Sequence, residues 1–168
     1  MTIKKLLISN RGEIASRIIK SAHDMGITCV AIYTEADKNT PYVREADQSF
    51  KLSDSYLNAK EILEIAKKNN VDAIHPGYGF LSENANFANN VKKAGIKWVG
   101  PSANAIKKMG DKITAKTLAE KAGVPILPSG SSAKDANKIG YPILVKAAAG
   151  GGGKGMRIVK SSKNLKES

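Results

Sequence analysis

Short apolar runs alternate along this chain with stretches in which apolar residues return every three or four positions. Ile3 to Ser9 is such a run, followed at once by a turn and a helical pattern, which predicts a buried parallel strand. From about Glu13, the residues Ile14, Ala15, Ile18, Ile19 and Ala22 share one helical face, and Gly26 stops the helix. Ile27 to Tyr33, rich in apolar and β-branched residues, predicts a second strand. A turn-rich segment from Glu35 to Pro41 and a weak strand near Ser49 to Leu52 come next. Asn58 with Glu61 three residues later has the form of a capping box. It predicts a helix to about Asn69 with Ala59, Ile62, Leu63 and Ala66 inward. A strand at Val71 to His75, a helix at Asn84 to Ala94 and a strand at Ile96 to Val99 complete the first part. Strands and helices alternating at this spacing predict a right-handed, mostly parallel α/β sheet.

The rhythm changes after Pro101. Two short helices split at Gly110, a linker runs from Gly123 through Pro128-Ser129-Gly130, and another short helix leads to Tyr141-Pro142. Ile143 to Lys146 and Met156 to Val159 then read as strands flanking a glycine-rich loop. The pattern puts a domain boundary between about residues 100 and 125. Fewer than forty residues follow the linker, too few for a core of their own, so the second unit reads as incomplete and the chain as a fragment.

Composition narrows the class. With 42% hydrophobic residues in 168, the chain is globular rather than disordered. Its apolar runs, such as Ile143-Leu144-Val145, are far too short to span a bilayer. The apolar run after Lys4-Lys5 ends at Ser9, too early for a signal peptide. Cys29, the single cysteine, excludes an internal disulfide and reads as a buried strand residue of a cytoplasmic protein.

The formal charge of +12 is unevenly placed. Residues 1–100 hold 14 Lys/Arg against 11 Asp/Glu, whereas residues 101–168 hold 13 against 4. Three readings fit: a solvated lysine-rich surface, a nucleic-acid footprint, or a nucleotide site whose acidic half lies beyond residue 168. Tyr141 is the basic segment's one aromatic, and it has no arginine cluster, which weighs against nucleic acid.

The strongest local signal runs from Lys146 to Met156. Gly150, Gly151, Gly152, Gly153 and Gly155 leave backbone N–H groups open to an anion, and Lys146 and Lys154 add point charges. A Walker loop would need Ser or Thr after the lysine and then a helix, but Gly155 follows Lys154 and a strand pattern comes next. Strand, glycine loop and strand together predict a hairpin flap over a phosphate chain, the bland alternative being a flexible linker. Ser9-Asn10-Arg11-Gly12-Glu13 sits where a dinucleotide fold carries G-x-G-x-x-G, and with Gly12 alone the fingerprint fails. That turn either binds an anion or is structural, with Asn10 as cap and Arg11 as ion-pair partner. His75-Pro76-Gly77-Tyr78-Gly79-Phe80-Leu81-Ser82-Glu83-Asn84 follows a strand at the sheet's carboxyl edge, where α/β folds bind ligands. In Met109-Gly110-Asp111-Lys112, Asp111 is placed as an N-cap. Lys112, at a helix start where the dipole favours anions, is either aimed at a phosphate or simply solvated.

Together these segments, with Gly100-Pro101, resemble the biotin carboxylase family over the whole chain; the run His75 to Asn84 is the most specific. The resemblance implies an α/β fold: a Rossmann-like (pre-ATP-grasp) parallel sheet domain over residues 1–112, then the beginning of an ATP-grasp domain over 113–168. It implies an ATP-dependent ligase that phosphorylates bicarbonate and carboxylates biotin tethered to a carrier, with ATP, Mg²⁺ and biotin as cofactors. Lys112 and Lys146 would contact ATP, Gly150, Gly151, Gly152, Gly153, Lys154 and Gly155 would close over the triphosphate, and Met156 would lie against adenine. Tyr78, Gly79 and Glu83 would face biotin and bicarbonate. Arg17 and Lys20 match a dimer surface; the family often has arginine at the second, and lysine there loses the bidentate fork. Implied partners are a biotin carboxyl carrier domain and a carboxyltransferase, with a homodimer for the full-length enzyme, and no nucleic acid or membrane. The family's metal-binding carboxylates, bicarbonate-holding residues and general base have no matching positions here, so no catalytic or metal residue is assigned and the 168 residues alone are expected to be inactive. The alternatives are a different ATP-grasp ligase, counted against by His75 to Asn84, and a non-enzymatic basic interaction domain.

Overall fold

The computed structural model describes residues 2–130, 132–146 and 156–167, apart from the side chains of Lys112, Ala133, Lys166 and Glu167. The chain divides into two compact units, Met1–Gly110 and Asp111–Ser168.

The first unit holds β1 (Lys5–Ile8), α1 (Gly12–Asp24), β2 (Thr28–Tyr33), α2 (Pro41–Glu45), β3 (Gln48–Lys51), α3 (Ala59–Lys68), β4 (Ala73–His75), α4 (Ala85–Lys93), β5 (Lys97–Trp98) and α5 (Ala103–Gly110). Its five strands are all parallel, in the order β3-β2-β1-β4-β5, so each carboxyl end lies at the same edge. Both faces are covered, as a parallel sheet requires. Side chains alternate between faces along each strand. Leu7, Val30, Ile32 and Ile74 pack with Ile62 and Ala66 of α3, Phe87 and Val91 of α4, and Ile106 of α5. Leu6, Ile8, Cys29, Ala31 and Ala73 pack with the α1 stripe and with Tyr42 of α2. Phe87 meets Trp98 edge-on, with ring centroids 5.6 Å apart, a favoured aromatic geometry.

The predicted α1 stripe is the buried set: Ile14, Ala15, Ile18, Ile19 and Ala22. Asn58 caps α3 by accepting from Glu61 N–H at 3.2 Å. The box is not reciprocal, because the Glu61 carboxylate turns instead to Ser53 and to the Asn58 amide. In the segment expected to be turns, a 3-10 turn spans Glu35–Asp37 and α2 follows, with Pro41 opening it. Pro fits there because the first helical N–H has no intrahelical acceptor to lose.

The second unit holds α6 (Lys112–Lys121), α7 (Ala133–Ile139), β6 (Ile143–Val145) and β7 (Arg157–Val159), then a 3-10 segment, Ser162–Glu167. Asp111 caps α6, its carboxylate accepting from Thr114 N–H at 2.7 Å. Ser132 and Asp135 form a reciprocal capping box at α7. β6 and β7 pair antiparallel, Ile143 opposite Val159 and Val145 opposite Arg157, which is the hairpin expected on either side of the glycine loop. Among the described residues of this unit the buried hydrophobics are Ala136 and Val159, while Ile113, Leu127, Leu144 and Ile158 are exposed. So thin a core matches the count of residues after the linker.

Candidate functional site

Two loops leave the carboxyl edge of the first unit side by side, because β1 and β4 are neighbours in register, Ile8 opposite His75. Ser9 N–H extends the ladder to His75 O at 3.0 Å. Beyond it, Asn10, buried to 1% exposure, joins the loops. Its amide nitrogen donates to Pro76 O at 2.7 Å and to Tyr78 O at 2.8 Å, and its amide oxygen accepts from Arg11 N–H at 2.9 Å. Asn10 is therefore a staple between loops. The α1 N-cap is Arg11, which makes no side-chain cap.

Gly77 fits under that staple for two reasons. Its φ of +63° is left-handed, and a Cβ there would lie 2.7 Å from Asn10 Nδ2. Gly79 has the same φ but nothing within 4 Å of a Cβ. Phe80 holds φ +44° without being glycine, and its ring packs 5.3 Å from that of Tyr56. A bulky residue held in this region is strain that its surroundings must maintain. The result is a rigid loop that presents Tyr78, 60% exposed, and Phe80, 44% exposed, at the carboxyl edge.

Three titratable groups are set by this geometry. Tyr78 hydroxyl donates to Glu13 Oε1, and that bond raises the phenol pKa above its ordinary value. His75 Nδ1 accepts from Gly77 N–H at 3.0 Å, which puts the proton of the neutral ring on Nε2. Burial, and then the charge of Arg17, lowers the His75 pKa and favours that neutral form. Asp37 is buried and meets the Arg11 guanidinium through two bonds, Arg11 Nε to Asp37 Oδ2 at 2.6 Å and Nη2 to Oδ1. Tyr56 hydroxyl donates to Asp37 Oδ2 at 2.6 Å and lies 2.8 Å from the Tyr42 hydroxyl. The Arg11 hydrogen bond holds the Asp37 carboxyl below its usual range. Arg11 is thus an ion-pair partner, as the structural reading of the turn expects.

Tyr78, Gly79 and Glu83 lie in one loop between β4 and α4, Glu83 exposed just before the Asn84 cap. Arg17 and Lys20 are both exposed on α1, three residues apart and so on one face. In the second unit, Lys112 is the first residue of α6, Lys146 is exposed directly after β6, and Met156 is 45% exposed directly before β7. Gly150, Gly151, Gly152, Gly153, Lys154 and Gly155 lie outside the described residues, as does the Lys112 side chain. The sequence pattern missed Asn10 as a staple, Glu13 as the partner of Tyr78, and the Arg11, Asp37, Tyr56 and Tyr42 network. The first carried a signal in principle: an asparagine after a strand, with a glycine-bracketed loop after the neighbouring strand.

Residues 2–106 match the family model for the biotin carboxylase N-terminal domain, and residues 85–168 match that for the carbamoyl-phosphate synthase L chain ATP-binding domain. The chain is 49% identical to biotin carboxylase 1 of Bacillus subtilis, the alignment covering 97% of this chain and 39% of that protein. It is 47% identical to the biotin carboxylase of Halalkalibacterium halodurans, covering 98% of this chain and 39% of that one. Among solved structures, the biotin carboxylase domain dimer of Hydrogenobacter thermophilus 2-oxoglutarate carboxylase, in complex with MgADP, ADP and bicarbonate, superposes with a TM-score of 0.92 at 40% identity. That match covers 99% of this chain and 40% of the other. A Campylobacter jejuni biotin carboxylase in complex with a β-γ-ATP ligand gives 0.92 at 45% identity, with the same coverage. The chain thus spans well under half the length of these relatives.

Proposed function

The chain belongs to the biotin carboxylase family, and from that premise we propose that it is the N-terminal part of an enzyme that uses ATP to carboxylate carrier-bound biotin with bicarbonate. The observation that carries the reading is the pair of locked loops at the carboxyl edge, where Asn10 fixes the backbone that holds out Tyr78 and Gly79. Parallel α/β sheets bind ligands at that edge. In this reading Tyr78, Gly79 and Glu83 face biotin and bicarbonate, and Glu13 orients the Tyr78 hydroxyl.

Lys146 neutralises the ATP phosphates, Lys112 adds a second charge, the loop Gly150–Gly155 closes over the triphosphate, and Met156 lies against adenine. Phosphoryl transfer to bicarbonate depends on such positioning and charge neutralisation. A closed flap also keeps water from the labile carboxyphosphate that hands CO₂ to biotin N1. Magnesium supplies charge on the phosphates when bound. Two carboxylates at the carboxyl edge do not fit it, since Glu13 is taken by Tyr78 and Asp37 by Arg11 and Tyr56. None of the metal's ligands is assigned to this chain.

Arg17 and Lys20 form the dimer surface of the full-length enzyme, which works in the cytoplasm with a biotin carboxyl carrier and a carboxyltransferase. Among the described residues no helix is long and apolar enough to cross a membrane. The test is replacement of the matching segment of a relative by residues 1–168, followed by assay of biotin-dependent ATP turnover.

A further inference from the structure

The strands of the first unit all begin at one edge of the sheet, and this amino edge is opposite the loops that carry Asn10 and Tyr78. An open cavity of about 330 Å³ lies there, lined by His23, Gly26, Ile27, Thr28 and Asp47. Three separate elements bring donors together at this edge, two of which, His23 and Asp47, line the cavity. His23 is in the last turn of α1, Cys29 is the second residue of β2, and Asp47 immediately precedes β3. Asp47 Oδ2 accepts from Cys29 N–H at 2.7 Å and lies 2.9 Å from His23 Nε2. An imidazole nitrogen, a thiol sulfur and a carboxylate oxygen all lie within 4.8 Å of one another.

That donor set is selective. Thiolate and imidazole suit zinc and its neighbours in the first transition row, whereas calcium and magnesium take oxygen ligands. A tetrahedral ion with bonds of about 2.0–2.3 Å holds its ligands roughly 3.3–3.8 Å apart, so the widest gap closes by about 1 Å while His23 and Asp47 part slightly from their 2.9 Å contact. The side chains that must move are the exposed ones, His23 at 39% and Asp47 at 45%, while Cys29 stays in the sheet. The Cys29 thiol makes two long contacts that an ion replaces, to Ile19 O at 3.8 Å and Ile27 O at 3.6 Å. Without an ion, burial keeps this thiol protonated and inert.

We propose that His23, Cys29 and Asp47 form a binding site for a zinc-class divalent cation at the amino edge of the sheet, with its fourth position open to the cavity. Binding releases the thiol proton to solvent and leaves neutral imidazole, carboxylate and thiolate on the ion. It ties the end of α1 to β2 and to the start of β3, so the role is structural stapling, in addition to any chemistry at the carboxyl edge. The sequence pattern reads Cys29 as an apolar strand residue because the spacing of its partners, 6 residues before and 18 after, matches no metal motif.

Cobalt(II) is the probe that tests this. Cys29 is the sequence's one cysteine, so a thiolate-to-cobalt charge-transfer band reports this site alone. Titrating the chelator-treated chain, made without a histidine tag, with Co²⁺ is expected to develop that band to one equivalent, and Zn²⁺ is expected to erase it. Cys29→Ser should abolish the band. His23→Gln, at an exposed position, should keep the circular dichroism melt of the apo chain and weaken Co²⁺ at least about tenfold. Absence of the band in the parent chain, or equal affinity in His23→Gln, would overturn the proposal.

Discussion

Asn10 and Gly77 are fitted to each other: a Cβ on Gly77 would stand 2.7 Å from Asn10 Nδ2, the same nitrogen that holds Pro76 O and Tyr78 O. Gly77→Ala therefore meets both a left-handed φ and a buried amide. It is expected to lower stability by about 2–4 kcal/mol, against about 1 kcal/mol for Gly79→Ala, which has the φ without the neighbour. Asn10→Ala leaves two carbonyls without their donor and should cost about 1–3 kcal/mol. Urea denaturation of the three variants ranks them. Equal losses at Gly77 and Gly79 would mean that the close approach to Asn10 adds nothing.

Acid should dissect the network around Asp37. Its pKa is depressed in the native state, first by the Arg11 hydrogen bond. The stability it contributes is therefore present above the unfolded value of about 3.9 and is lost as pH falls through the native one. Asp47 and Asp72 are depressed as well, so the comparison must be with Asp37→Asn. That variant should be less stable at neutral pH, by about 1–3 kcal/mol for the partners left in the buried network, and should lose less on acidification. Urea midpoints from about pH 6 to about pH 3 read the slope, and parallel curves would contradict the assignment.

Glu13 and Tyr78 are both exposed, so Glu13→Gln should change stability by less than about 0.5 kcal/mol. It should nonetheless lower the Tyr78 phenol pKa toward its ordinary value, since the Glu13 hydrogen bond is the leading cause of its elevation. The ring carbon bonded to oxygen, followed by NMR against pH with Tyr78→Phe for assignment, gives the value directly. An unmoved titration would mean that Glu13 does not hold the hydroxyl.

The repeating layers were legible because burial imposes a period. The stripe on α1 and the apolar run of β2 name their own buried faces. Asp111 as the α6 cap was legible for the same local reason, a short acceptor before a helical run. By contrast, α2 has five residues, less than two turns, and no period can be read from so short a piece. The partners Arg11 and Asp37 are 26 residues apart, and Glu13 and Tyr78 are 65 apart. Only the order of strands in the sheet brings them together, and that order is not written locally. Tyr42 and Tyr56 are buried, yet each commits its hydroxyl to the same network, which an apolar pattern does not reveal.

The 168 residues by themselves should show no bicarbonate-dependent ATPase activity, because no metal ligand and no general base is assigned among them. A coupled assay for ADP release, with and without bicarbonate and free biotin, checks this. Turnover that rises with bicarbonate would place the missing groups within this chain.

The most direct test of the central claim replaces the matching first segment of Bacillus subtilis biotin carboxylase 1, 49% identical, with residues 1–168 and measures biotin-dependent ATP turnover in bicarbonate. A folded chimera should retain turnover within about tenfold of the parent and lose at least about a hundredfold in kcat/KM with Lys146→Gln, roughly the effect of removing one charge-stabilising contact. A chimera that folds and melts like the parent yet turns over no ATP, or one indifferent to Lys146→Gln, would contradict the account.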